Sequence, residues 1–159
     1  MSDVPENWNE IKSDKSFWDL VLAFKETSPD WAEAELEEDE GDEHRMALEF
    51  VKYEADPVFT LYFMSFCGEP TSSSVKEVAG KFYVADWSEP HRIDGPYATI
   101  EEGAMSIIDC GNGDTFTGAS SSLPDERMHA LCEEAVGGNA EFKINGVMHV
   151  RTKNGLVPA

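Results

Sequence analysis

The chain has 159 residues, 41 % hydrophobic, with nine Phe, four Tyr and four Trp, enough apolar material for one domain (1–159) that buries roughly two thirds of its extended-chain surface. Its formal net charge of -20, from 32 acidic against 12 scattered basic residues, argues against direct binding to nucleic acid or to anionic membranes and for basic or cationic partners. No stretch nears the roughly 20 apolar residues of a membrane span. The start, MSDVPENWNEIKSD, lacks the basic start and apolar stretch of a signal peptide. Cys67, Cys110 and Cys132 are odd in number and far apart, which fits neither a disulfide framework nor a CxxC metal site, so a cytoplasmic protein with reduced thiols is expected.

In chain order, residues 1–14 read as a frayed lead-in, with Trp8 and Ile11 spaced for a short helical turn. KSFWDLVLAFKET carries Phe17, Leu20, Val21 and Phe24 at i, i+3, i+4, i+7, the template of a core-facing amphipathic helix. Ser16 and Asp19 have capping-box spacing, and Pro29 limits the helix. Ser28-Pro29-Asp30 then predicts a second helix from Pro29 to about Glu40, stopped by Gly41. Like charges at i, i+4 and acids at its C-terminus disfavour that helix in isolation, so a basic partner is expected to order it.

RMALEFVKYE, PVFTLYFMSF and KFYVADWS alternate and are rich in β-branched and aromatic residues, which predicts a three-stranded antiparallel meander. Gly68 to Ser74 and SEPHRIDGPYA read as loops. TIEEGAMSIIDC predicts a helix with Thr99 as N-cap and Glu102 completing a capping box. Residues 111–123 read as a flexible loop, and Pro124 to Val136 as a helix with Met128, Leu131, Cys132 and Ala135 along one side. Asn145-Gly146 between alternating segments is the strongest hairpin signal in the chain. The expected class is α+β: an antiparallel sheet, meander plus C-terminal hairpin, packed with three to four helices.

Chemistry is sparse. The residues show no GxSxG, HExxH or HxE with PCxxC, and His44, His91, His129 and His149 have no motif spacing with a nucleophile or acid. The loop GNGDTFTG follows a helix and lacks a phosphate-binding pattern, and Cys110 stands where a calcium loop would need its first Asp. No enzyme, metal site or cofactor is expected.

The outstanding feature is acidic. Between Glu26 and Glu43 the run ETSPDWAEAELEEDEGDE holds ten carboxylates and no Lys or Arg, so half of the net charge sits in eighteen residues. A localised field of this kind steers basic proteins, and an aromatic anchor lengthens the residence of what it attracts. Asp30, Trp31, Glu33, Glu35, Glu37, Glu38, Asp39, Glu40, Asp42 and Glu43 are therefore the candidate partner-binding residues, with Asp86, Trp87 and Glu89 as a second acidic-aromatic set. The expected function is an inhibitor of a basic, nucleic-acid-handling protein: an immunity protein against a nuclease toxin, or a phage-encoded DNA mimic directed at a defence enzyme. The competing expectation is an adaptor or assembly module whose acid serves only solubility. Crowded carboxylates also predict a gain of stability on mild acidification.

Overall fold

A computed structural model describes residues 4–33, 40–64, 67–85, 92–110 and 115–159. In chain order these form α1 (Trp8–Ser13), α2 (Lys15–Thr27), α3 (Glu40–Tyr53), β1 (Asp56–Met64), β2 (Pro70–Val78), β3 (Lys81–Ala85), β4 (Ile93–Tyr97), α4 (Ile100–Cys110), β5 (Phe116–Ser121), α5 (Asp125–Val136), β6 (Glu141–Ile144), β7 (Val147–Thr152) and β8 (Gly155–Pro158). The strands lie in the order β4-β3-β2-β1-β5-β6-β7-β8. The β5–β6 pair is parallel, whereas β1–β5, β3–β4, β6–β7 and β7–β8 are antiparallel. The class is α+β, as the segment order predicts. The chain groups into two compact units: Met1–Asp56 with Lys76–Ala98, and Pro57–Val75 with Thr99–Ala159.

In the first unit, the segment expected to fray supplies core. Trp8 and Ile11 are each 1 % exposed on α1, and the Asn7 amide donates to the Ile93 and Gly95 carbonyls at 2.8 Å. A short polar-looking stretch is thereby held by two large apolar groups and a side-chain clamp on β4. Asp14, not Ser16, caps α2: its carboxylate accepts from Ser16 N (3.1 Å) and Phe17 N (3.3 Å) and pairs with Lys81 Nζ (3.2 Å). Burial pushes the Asp14 carboxyl up, but the Lys81 and backbone hydrogen bonds outweigh this and hold it below the usual 3.8. A depressed carboxylate pKa stabilises the fold above the unfolded-state pKa and loses that contribution as pH falls through the folded-state value. Asp14→Ala is expected to cost about 1 kcal/mol at neutral pH, with the deficit narrowing below pH 3.8; urea unfolding of both proteins across that range checks it. A deficit independent of pH would assign it to packing rather than to the charged cap. Glu101 is likewise lowered, first by its hydrogen bond from Arg127. Both resolved carboxylate shifts thus oppose a gain on acidification.

The segment RMALEFVKYE is helical, not extended. Met46, Ala47, Phe50 and Val51 are all buried, at the i, i+1, i+4, i+5 spacing of one helix face. Leu48 is buried as well, so the face is broad and contains a spurious alternation of Met46, Leu48 and Phe50. The helix starts at Glu40 and runs through Gly41, whereas residues 29–33 form turns in place of the expected helix start. Phe17 bridges the layers, 6.3 Å from Phe50 and 5.1 Å from Tyr83 between ring centroids.

In the second unit, the strand expected in PVFTLYFMSF stands as β1, and so do two helices and the C-terminal hairpin. Thr99 Oγ1 accepts from Glu102 N at 3.2 Å, capping α4. Met128, Leu131, Cys132 and Ala135 are buried on α5, which packs on β5, β6 and β8. Asn145 (φ 48°) and Gly146 (φ 83°) turn β6 into β7, both residues in the left-handed region that this tight turn needs. Three regions expected as loops are strands, not all of them confined to this unit. Pro70–Val78 forms β2, of which Ser73, Val75 and Val78 are buried, and Thr60 and Ser74 share a hydrogen bond of 2.8 Å. Phe116–Ser121 forms β5, where a Cβ on Gly118 would lie 2.9 Å from the Lys143 carbonyl oxygen. That glycine serves strand approach rather than loop freedom. In the first unit, the loop expected around Asp94 is the strand β4, with Ile93 fully buried.

Candidate functional site

The carboxyl end of α2 and the carboxyl half of α3 frame the site, both within the first unit. Chain reversal after α2 comes from Ser28, which is extended (φ −85°, ψ 126°), and from hydrogen bonds of Trp31 N (3.3 Å) and Ala32 N (3.0 Å) to the Ser28 carbonyl. Lys25 Nζ donates to the Ala32 carbonyl at 3.1 Å, tying the turn back to the helix. This geometry buries Trp31 to 6 % exposure. Its Nε1 donates to Glu49 Oε2 at 2.5 Å, and the Arg45 guanidinium lies 5.2 Å over its ring. Trp31, expected to project toward a partner, instead locks the acidic turn onto α3.

Beside it opens a cleft of about 310 Å³, lined by Phe24 and Thr27 of α2, Asp30 of the turn, and Glu49, Tyr53 and Glu54 of α3 and its end. Phe24 packs 5.8 Å from Phe50 and so belongs to the core at its inner edge. Tyr53 is 69 % exposed. Asp30 and Glu54 have no ion-pair partner among the described residues. An aromatic ring, an apolar floor and three carboxylates therefore share one concave surface, a combination suited to organic cations.

The other predicted site residues divide. Asp30 and Glu33 are exposed on the turn. Glu43 is 7 % exposed and pairs with Lys12 Nζ at 2.7 Å, and Asp42 pairs with Arg45 at 3.1 Å, so both are engaged within the fold. Glu40 begins α3. Glu35, Glu37, Glu38 and Asp39, the Glu40 side chain, and the second set of Asp86, Trp87 and Glu89 lie outside the described residues. Tyr53, Glu49 and Glu54 are the site residues that sequence reasoning missed. Reading residues 46–54 as a strand hid them, and the helical spacing of Met46, Phe50 and Tyr53 was the signal that would have placed Glu49 and Tyr53 on one flank.

Other chemistry is weak. The Cys132 thiol is pushed up to about 12 by burial and by neighbouring Glu133, which removes thiolate character. His44 is buried, its ring edge-on to Trp8 at 5.2 Å, and burial lowers its pKa. Among the described residues no group of three or more His, Cys, Asp or Glu side chains is arranged to hold a metal ion, and no helix is long and apolar enough to cross a membrane.

No known family, curated protein or solved structure matches the chain. The functional reading therefore rests on the site itself.

Proposed function

We propose that the protein is an acidic inhibitor that binds and neutralises a basic, nucleic-acid-handling protein, in the manner of an immunity protein directed at a nuclease toxin. The observation that carries this reading is the uneven charge. The first unit has 22 acidic and 8 basic residues, a net of −14, against 10 and 4, a net of −6, in the second. Within the first unit, the acidic run leads directly into a cleft that combines carboxylates with an exposed ring. A dispersed acidic surface would give solubility without preference for a partner. A focused one raises association rates with basic proteins, and an adjoining aromatic cleft slows their departure. Focus also favours a compact toxin surface over mimicry of a long duplex, which calls for carboxylates spread along a whole face at about one charge per 1.7 Å of axis.

The test is capture by the tagged full chain from nuclease-treated lysate, washed at low and then high salt, with mass spectrometry of the retained proteins. One stoichiometric basic protein surviving moderate salt is the expected result. Retention of only salt-labile, heterogeneous basic proteins would overturn the inhibitor reading in favour of a solubility role.

A further inference from the structure

We infer that the α2–α3 cleft seats an arginine side chain of the basic partner, with an apolar partner residue one helical turn away resting on Leu20, an inference that rests on the inhibitor reading and adds to it the chemistry of recognition. Three features converge on that occupant. The first is shape and lining: a cleft of about 310 Å³ with Phe24 at its inner edge and Tyr53, 69 % exposed, beside it. The second is charge: Asp30 and Glu54 flank the opening with no ion-pair partner among the described residues. The third is an apolar extension. Leu20 is 43 % exposed and lies four residues before Phe24, on the same side of α2 and about 6 Å along its axis.

Carboxylates alone would not choose between arginine and lysine. The rings do. A guanidinium is planar, delocalised and weakly hydrated, so it stacks on an aromatic face while its edge hydrogen-bonds to carboxylates, whereas an ammonium holds its water and acts as a point charge. The protein already uses this chemistry internally, where Arg45 lies over the Trp31 ring and Trp31 is bonded to Glu49. Glu49 also lines the cleft. An apolar contact on Leu20 adds desolvation around the charged pair and fixes the direction of the docked segment.

The experiment uses the full chain and a synthetic helical peptide carrying Arg and Leu four positions apart, with two control peptides in which that Arg becomes Lys or that Leu becomes Ala. Binding is read by amide chemical-shift titration. The expected result is saturable shifts at Phe24, Thr27 and Tyr53, with the Arg peptide bound about tenfold more tightly than the Lys peptide, a ratio in the range of a desolvated cation–aromatic contact. Tyr53→Ala and Glu54→Gln, both at exposed positions, should each weaken the Arg peptide by a similar factor and leave the thermal melt unchanged. Equal binding of the Arg and Lys peptides, or wild-type affinity in Tyr53→Ala, would overturn the arginine seat. If Tyr53→Ala keeps full affinity for a captured basic protein, the seat is wrong and the inhibitor reading stands. If the Arg peptide binds the cleft as expected while no basic protein is retained, the inhibitor reading fails and the seat stands.

Discussion

Replacing Trp8 by alanine is expected to lower the unfolding free energy by about 3–5 kcal/mol, the range for truncating a fully buried tryptophan. The indole is 1 % exposed, and it packs edge-on against Trp18 at 6.1 Å and His44 at 5.2 Å between ring centroids. Its removal would leave a cavity that α1, held by the Asn7 clamp at one end and joined directly to α2, has little freedom to fill. The indole Nε1 has no hydrogen-bond partner among the described residues, so the loss is one of packing and not of a hydrogen bond. Trp8→Phe separates the two contributions, since it keeps an aromatic ring and deletes the buried N–H; it should cost well under half as much as the alanine change. Denaturant unfolding of the three proteins measures this directly. A cost below about 1 kcal/mol for Trp8→Ala, the level of an ordinary surface position, would return residues 8–13 to the status of a frayed lead-in.

The second large effect concerns association. Neutralising four acids of the run together (Glu33→Gln, Glu37→Gln, Asp39→Asn and Glu40→Gln) is expected to reduce the association rate with the basic partner by between about 10-fold and 10³-fold at low salt. It should also flatten the salt dependence of that rate, since fewer charges remain to be screened. Asp42 and Glu43 are left in place because they pair with Arg45 and Lys12, so changing them would confound binding with folding. The fold itself should be unaffected or slightly more stable, because removing like charges that crowd one short segment relieves their mutual repulsion. Stopped-flow association at two ionic strengths, beside a thermal melt, checks both halves. An unchanged rate would remove the acidic run from the interface and leave the cleft to carry binding alone.

These two predictions mark where local pattern and tertiary context part company. Helix α2 was legible because the spacing of Phe17, Leu20, Val21 and Phe24 and the proline stop are local signals, although Leu20, expected to face the core, is 43 % exposed at the edge of the stripe. The Thr99 cap of α4, the buried side of α5 and the Asn145-Gly146 turn were legible for the same reason: each depends on residues within one or two turns of each other. Helix α3 was not, because it is buried over a face broad enough to include Leu48, and such a face contains an alternating subset that mimics a strand. That single misreading concealed Glu49, Tyr53 and Glu54, three of the eight residues that line the cleft.

The strands β2 and β5 were hidden by composition. Thr71 to Ser74 and Gly118 to Ser121 are rich in serine and small residues, which have low strand propensity and resemble a loop. They are extended where distant segments supply hydrogen-bond partners: the Thr60 hydroxyl for Ser74, the Val58 carbonyl for the Ser121 hydroxyl, and the side chain of Asn145, in the β6–β7 turn, for Ser121 N. None of those partners is near in sequence, so no local pattern could announce them.

By itself, the sequence determined the α+β class, the element signals whose hydrogen bonds and apolar faces close within a few residues, and the concentration of ten carboxylates between Glu26 and Glu43. These are properties of composition and of short-range spacing. Tertiary structure alone decided which acids are free to meet a partner. Burial of Trp31 on Glu49 and Arg45, pairing of Glu43 with Lys12, and exposure of Tyr53 beside Asp30 and Glu54 all depend on α2 and α3 lying side by side. Charge is carried by each residue wherever it goes, but whether that charge is spent inside the fold or presented to another molecule is set by the neighbours that folding brings to it.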